Sequence, residues 1–141
     1  MAKVYLASSW RNLEQPGIVR LLRDCGHEVY DFRNPPNSTG FAWSELDPNW
    51  RSWTAEQYRE CLKLPRAAEG FMSDKTGMDW ADTCVLLLPC GRSAHLEAGF
   101  MAGAGKEVIV LTKDGEEPEL MSLLCDHICV NLKELLRALR S

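Results

Sequence analysis

The chain has 141 residues, of which 45% are hydrophobic and 26% are charged. This composition is that of an ordinary globular protein, and the length fits one domain spanning 1–141, so a disordered or fibrous protein is excluded. The net charge of −4 argues against binding of polymeric nucleic acid, which needs a clustered basic surface. A small anionic ligand needs only one or two local cations and stays compatible with this charge.

We expect neither a targeting segment nor a membrane-spanning segment. Met-Ala-Lys runs directly into a short apolar stretch without the pattern of a signal peptide, and no apolar run approaches membrane-spanning length. We therefore expect a cytoplasmic protein with no membrane partner.

Strand and helix patterns alternate along the chain. Strands are predicted at 3–8, 27–32, 82–88, 107–112 and 127–130, and helices at 12–25, 54–64, 65–80, 93–104, 118–124 and 132–140. The segment 82–88 (DTCVLLL) has no polar alternation, which is typical of a strand buried on both faces. The order predicts an α/β fold: a single-domain, doubly wound (Rossmann/flavodoxin-like) five-stranded parallel sheet with helices on both faces.

The predicted loop 33–53 is rich in aromatic residues, with three of the chain's five tryptophans, Trp43, Trp50 and Trp53, beside Phe41. Loops of this length in a compact domain are usually functional or disordered, and this aromatic density argues against disorder. Two readings stay open: the rings stack on a nucleobase, or they form a small core that holds the loop in place.

The chain has six cysteines and no CxxC pair, and most of them fall in apolar stretches, so we expect reduced, buried thiols. Cys125, His127 and Cys129 alternate, and on a strand they would share one face as potential metal ligands. Ligands this close together on one strand rarely chelate one ion, so we expect no metal.

Ligands of open parallel sheets bind at the carboxyl ends of the strands, near the point where the strand order reverses. This rule selects 7–10, 31–36 and 89–97. These segments contain neither a dinucleotide-binding GxGxxG nor a Walker A loop, and Gly105-Lys106 is followed by Glu107 rather than Ser or Thr. We therefore expect no cofactor.

The segment 89–97 holds two candidate functional groups. Gly91, Arg92 and Ser93 lie at the start of a predicted helix, where free N–H groups and the helix dipole favour an anion. We expect Ser93 to be the N-cap of this helix, and it can also contact the anion. Glu97 has mostly apolar neighbours one turn away, and a carboxylate there is costly unless it is used or paired. A capping box with Ser93 as N-cap does not explain Glu97, because the reciprocal position 96 is Leu.

Two acidic residues precede the central strand. Asp74 and Asp79 are placed to orient a carboxylate or a sugar hydroxyl, or else to lie in solvent as helix-end charges. Solvent exposure is the favoured reading for Asp79, and the two readings are even for Asp74.

Three segments together resemble the nucleoside 2-deoxyribosyltransferase family: VYLASSW at 4–10, SDKTGM at 73–78 and GRSAHLEAG at 91–99. The resemblance places the family's Tyr, Asp and Glu at Tyr5, Asp74 and Glu97. It implies that Glu97 attacks the anomeric carbon of a nucleoside, and that the glycosyl-enzyme passes the sugar to another base or to water. It further implies that Tyr5 holds the nucleophile and that Asp74 protonates the base. A carboxylate suits this chemistry, because it splits one displacement into two, as in retaining glycosidases.

The chain departs from the transferase pattern at two places. Transferases carry an Asp six residues before the Glu, where this chain has Gly91. They also offer an Asn to the neighbouring subunit's site, and only Asp126, His127 or Ile128 aligns there; we take His127 as the substitute. Related deoxynucleoside 5'-monophosphate N-hydrolases bind the phosphate at the start of the corresponding helix. The segment Gly91-Arg92-Ser93 resembles such a phosphate site.

The resemblance implies an N-glycosyl transferase or hydrolase, and it favours transfer between bases slightly over hydrolysis of a 5'-monophosphate. A nucleotide-binding sensor module on the same fold is the rival from another class, because a fold does not determine a function. The expected substrate-binding residues are Ser8, Trp10, Asp31, Arg33, Trp43, Gly91, Arg92, Ser93 and His127. We also expect a homo-oligomer, dimer or higher, with shared active sites, because the family completes each site with a neighbour's residue and segment 41–53 is expected to expose apolar area.

Overall fold

The computed structural model describes residues 1–140. Its backbone divides into two compact units, one built from Met1–Asp31 together with the chain from Met78 onward, the other from Phe32–Gly77. All five strands lie in the first unit, and the aromatic loop lies in the second. The assignment of 1–141 to one domain stays a prediction.

The first unit is built on a five-stranded sheet in which every pair of neighbouring strands is parallel. The strands are β1 (Lys3–Ala7), β2 (Glu28–Tyr30), β3 (Thr83–Leu87), β4 (Glu107–Leu111) and β5 (His127–Cys129). Their order, β2-β1-β3-β4-β5, is that of flavodoxin-like sheets, which confirms the predicted fold class. Every residue of β3 is buried, as its unbroken apolar run predicts.

The helices are α1 (Gln15–Asp24), α2 (Ala55–Cys61), α3 (Pro65–Trp80), α4 (Arg92–Gly103) and α5 (Leu132–Leu139). Three short 3-10 helices lie at Trp43–Glu45, Trp50–Ser52 and Leu120–Leu124. Helix α3 begins at Pro65 and ends at Trp80, as predicted. A helix can begin at a proline because the N–H that proline lacks would have no acceptor in the first turn. No helix within residues 1–140 is long and apolar enough to cross a membrane.

Helices cover both faces of the sheet. One face packs against α1 and α5 in a core that includes Val4, Leu6, Ile18, Leu22, Val85, Leu87, Ile109 and Leu135. Side chains alternate along a strand, so Tyr5 and Cys84 point to the opposite face, which α4 covers. The buried residues of α4 include Ala94 and Ala98, whose small side chains let this helix lie close to the strands.

The structure corrects several details of the sequence prediction. The predicted helix 118–124 is a 3-10 helix, and β2 ends at Tyr30 rather than at residue 32. All six cysteines are free, but only Cys84 and Cys129 are buried, and Cys25, at the end of α1, is exposed. Within residues 1–140, no group of three or more Cys, His, Asp or Glu side chains is arranged to hold a metal ion.

In the second unit the aromatic side chains pack against one another. The ring of Trp43 meets Phe41, Trp53 and Tyr58 edge-on, with centroid distances of 5.0, 6.0 and 6.2 Å. The Arg66 guanidinium donates hydrogen bonds to the Glu45 carboxylate and to backbone carbonyls of the same loop. The rings thus form the small core that was one of the two readings of this loop.

Segment 41–53 does not expose the large apolar area that the sequence led us to expect. Its four aromatic side chains are half-buried: Trp43 packs against Phe41 and Trp53, and the Arg51 guanidinium lies over the Trp50 ring. Large exposed apolar side chains lie on several other elements, and they include Leu120 and Leu123 on the 3-10 helix before β5 and Ile128 on β5 itself.

Candidate active site

The order of the strands places a crevice between β1 and β3. Strand β1 pairs with β2 on one side and with β3 on the other, so the winding of the chain reverses between β1 and β3. Doubly wound folds bind ligands outside the carboxyl ends of the strands at this point. The segments that border it are the residues after Ala7 and the residues after Leu87, which are two of the three segments selected from the sequence.

Two side-chain hydrogen bonds tie these segments together. The Ser8 hydroxyl donates to the Leu87 carbonyl at 3.0 Å, and the Asn12 amide donates to the Pro89 carbonyl at 3.1 Å. Asn12 is 3% exposed, and its amide oxygen accepts the Glu14 N–H just before α1. Asn12 was not singled out from the sequence, because its partner lies 77 residues away and no local pattern indicates the contact.

The structure brings Tyr5 and Glu97 together. The Tyr5 hydroxyl on β1 donates a hydrogen bond of 2.6 Å to Oε2 of Glu97 on α4. Tyr5 is 1% exposed, whereas Glu97 is half-buried. A short hydrogen bond to a carboxylate is about twice as strong as one between neutral groups, so Tyr5 orients one oxygen of Glu97.

The start of α4 differs from the sequence prediction. Its N-cap is Gly91, with no side-chain cap hydrogen bond, and the helix begins at Arg92. Ser93 is therefore inside the first turn, and the interpretation of Ser93 as N-cap is wrong. With Gly91 as N-cap, the reciprocal position of a capping box is Ala94, so capping does not account for Glu97 either.

The first turn of α4 offers donors to an anion. Arg92 and Ser93 are both exposed, and the turn's backbone N–H groups lack intrahelical acceptors. A side chain placed at Gly91 would meet nothing within 4 Å, and the φ of Gly91 is −94°, a value open to any residue. The backbone therefore does not require glycine at the position where the transferases carry an Asp.

Two cysteine thiols near Glu97 stay protonated. Burial, reinforced by the Glu97 charge, raises the pKa of Cys84 far above its usual value. Burial and then the charges of Glu116 and Glu97 raise the pKa of Cys90 to about 11. Because the thiolate is the reactive form, neither cysteine is a nucleophile near neutral pH.

Three other predicted residues lie in the first unit. Asp31 follows β2 and is buried, and its Oδ1 accepts a 2.9 Å hydrogen bond from the buried Gln15 amide. Trp10 follows β1 and is exposed. His127 begins β5, at the amino end of that strand, with its Nε2 3.9 Å from a Glu107 carboxylate oxygen. His127 is the register partner of Ile109, in the middle of β4, and it lies on the edge strand, which β4 separates from β3. His127 therefore lies away from the crevice of its own chain.

The remaining predicted residues lie in the second unit. Asp74 is half-buried on α3, Arg33 lies after β2, and Trp43 belongs to the aromatic core. That these three act at the site of Glu97 stays a prediction. Asp79, which lies in the first unit, is an exposed residue at the end of α3, as favoured from the sequence.

No protein-family model matches the chain, and no curated protein matches its sequence. Among solved structures, a 2-deoxyribosyltransferase of Bacillus psychrosaccharolyticus is similar, with a TM-score of 0.65 and 21% identity over 94% of this chain and 88% of that one. The CMP N-glycosidase BcmB of Clostridium botulinum is similar with a TM-score of 0.52 and 19% identity over 98% of both chains. The chain therefore has the fold that a 2-deoxyribosyltransferase and a CMP N-glycosidase share, as its resemblance to the deoxyribosyltransferases predicts.

Proposed function

We propose that the protein is an enzyme that cleaves or transfers the N-glycosidic bond of a nucleoside or nucleotide through a glycosyl intermediate on Glu97. The observation that carries the proposal is the 2.6 Å hydrogen bond from Tyr5 to Glu97. It joins a buried phenol to a half-buried carboxylate on a sheet whose winding reverses beside β1. The two solved structures of the same fold are enzymes that act on this class of bond.

The chemistry proceeds in two displacements. A carboxylate oxygen of Glu97 forms a bond to the anomeric carbon while the bond from that carbon to the base nitrogen breaks. The electron pair of the broken bond goes to the base, which takes a proton from a general acid, the role we propose for Asp74. A second base or water then attacks the same carbon, gives its proton to Asp74 and releases Glu97 as a carboxylate, which the Tyr5 hydroxyl stabilises.

Transfer between bases is our first candidate, and hydrolysis of a nucleoside 5'-monophosphate is the second. The observation that favours the second is the uncapped start of α4, where Arg92 and Ser93 are exposed beside the open space at Gly91. A phosphate at this helix start would be held by backbone N–H groups, a guanidinium and a hydroxyl. Contacts from Ser8, Trp10, Asp31, Arg33 and Trp43 to the sugar or base belong to the same proposal.

We further propose a cytoplasmic homo-oligomer in which His127 reaches the active site of a neighbouring copy. The exposed apolar side chains at Leu120, Leu123 and Ile128 support an interface on this side of the sheet. His127 is exposed and lies away from the crevice of its own chain. Light scattering at micromolar concentration is expected to give at least a dimer, and a monomer alone would contradict the proposal.

The test is turnover of a panel of nucleosides and 5'-monophosphates, with and without a second base, by the parent protein and by Glu97→Gln. The Gln variant keeps the shape of the side chain and removes its charge, so we expect a folded protein whose release of base is slower by orders of magnitude. Glu28→Gln, which removes an exposed carboxylate on β2, is the matched control and is expected to retain activity.

A 2-fluoro-substituted nucleoside is expected to leave a mass adduct on the Glu97 peptide of the parent enzyme. Normal turnover by the Gln variant would show that the reaction does not need the Glu97 carboxylate, and it would contradict the proposal. An adduct on Asp74 or Asp79 would assign the nucleophile elsewhere. Binding without turnover, unchanged in Glu97→Gln, would favour the sensor module.

A further inference from the structure

Three side chains form a row across neighbouring strands on the face of the sheet that α4 packs against. Tyr30 on β2 is the register partner of Tyr5 on β1, and Tyr5 is in turn the register partner of Cys84 on β3. Register partners point to the same face of a sheet, so the three side chains lie side by side. All three are buried, with exposed fractions of 6%, 1% and 0%.

The Tyr30 ring lies flat against the Tyr5 ring. The two ring centroids are 5.1 Å apart, and the planes differ by 6°. Cys84 occupies the other side of Tyr5 in the row. The torsion that sets the plane of a tyrosine ring has broad minima, so the plane of Tyr5 depends on what packs against it.

The plane of the Tyr5 ring determines where its hydroxyl lies. The hydroxyl is at the far end of the side chain, so a small tilt of the ring moves it by more than any other atom. Its hydrogen bond to Glu97 is short, at 2.6 Å, and hydrogen bonds weaken steeply when the distance or the angle departs from the optimum. Contacts that hold the ring plane therefore control the orientation of Glu97.

We propose that Tyr30 is a positioning residue: its ring holds the Tyr5 phenol in the plane that directs the hydroxyl at Glu97. The packing contact stands on the geometry alone, and its consequence for catalysis rests on the function proposed above. Nothing local in the sequence indicates this role, because it arises only when β2 pairs with β1. The alternative is that Tyr30 only fills the core, in which case any loss of buried volume at β2 has the same effect.

The contact can be tested without a substrate. The chain has three tyrosines, so protein labelled with ¹³C at the tyrosine Cζ has three resonances, which single Tyr→Phe variants assign. Glu97→Gln is expected to shift the Tyr5 resonance, because it removes the charge that the hydroxyl contacts. Tyr30→Leu is expected to shift or broaden the same resonance. Val29→Ala, which removes buried volume from β2 on the other face of the sheet, is expected to leave it unchanged.

The consequence for catalysis is measured by comparing Tyr30→Phe with Tyr30→Leu. Both variants lack the Tyr30 hydroxyl, so the hydroxyl does not contribute to the difference between them. We expect the Leu variant to have a kcat lower than that of the Phe variant by roughly 3- to 10-fold, the effect typical of one aromatic stacking contact, with little change in KM. In a Tyr5→Phe background the difference is expected to disappear, because the ring of residue 5 then holds no hydroxyl.

Three results would overturn the proposal: a Tyr5 resonance that does not move in Tyr30→Leu, a shift of equal size in Val29→Ala, or a kcat difference that persists in the Tyr5→Phe background. If Tyr30→Leu does not fold, Tyr30→Met supplies a flexible side chain without a flat face for the same measurements. If the Tyr5 resonance responds as expected but the parent protein turns over no substrate, the packing contact stands and the proposed function fails.

Discussion

Substitution of Tyr5 by Phe tests whether the hydrogen bond to Glu97 serves catalysis. The variant keeps the buried ring and its stack on Tyr30 and removes one hydroxyl. A hydrogen bond to a charged group contributes about 1.5–3 kcal/mol. If all of that acts on the transition state, kcat falls roughly 10- to 150-fold. The loss of stability is expected to be smaller, about 1 kcal/mol, because Glu97 is half-buried and water can replace the donor.

The effect of Tyr5→Phe is expected to fall mainly on the second displacement. A hydroxyl donor stabilises a carboxylate more than an ester, so its loss slows the step in which Glu97 regains its charge. Rapid-quench measurement of base release is therefore expected to show a burst followed by slow turnover. Tyr58→Phe, at an exposed tyrosine of the second unit, is the matched control. A Tyr5→Phe variant that turns over at the parent rate without a burst would refute this role of the hydrogen bond.

Three further predictions follow from single residues. Arg92→Ala is expected to weaken binding of 5'-monophosphates by roughly 1.5–3 kcal/mol and to leave nucleosides little affected in calorimetric titrations, whereas an equal loss for both would place Arg92 outside a phosphate site. Burial and then the N-terminal ammonium lower the pKa of His27 below its usual 6.5, so the unfolded chain binds the proton more readily. The contribution of His27 to stability is thus complete above pH 6.5 and declines as the pH falls from there towards the lowered pKa; thermal unfolding of His27→Gln is expected to lack this decline. Iodoacetamide at pH about 7.5 is expected to modify the exposed Cys25 well before Cys90, whose pKa of about 11 leaves little thiolate, and peptide mass spectrometry would show the order.

Much of the fold was predictable because its signals are local. The unbroken apolar run of β3 indicates a strand buried on both faces, and Pro65 marks the start of α3. The alternation of strands and helices restricts the sheet to a parallel, doubly wound arrangement. Boundaries were less accurate. Asn12, for example, lies before α1 rather than inside it. Its side chain accepts a hydrogen bond from the Glu14 N–H and donates one to the Pro89 carbonyl.

The predictions that failed depend on the surroundings of a residue rather than on its neighbours in the chain. Ser93 has a side chain that suits an N-cap, but the helix begins at Arg92, so Gly91 is the N-cap and Ser93 lies in the first turn. Cys25 has the apolar character of a buried thiol, but it lies at the exposed end of α1. The aromatic residues of segment 41–53 were expected to expose apolar area, but Trp43 packs against Phe41 and Trp53.

The sequence by itself determined the alternation of elements, the central place of β3 and the short list of chemical groups at the strand ends, because these depend on local periodicity and residue type. Only the tertiary structure decided which of those groups meet. Tyr5 and Glu97 lie 92 residues apart, and their contact exists because β1 packs beneath α4. The stack of Tyr30 on Tyr5 likewise needs the register of β2 on β1, which no single segment encodes. Contacts between residues distant in the chain carry the site, and they form only when the sheet assembles.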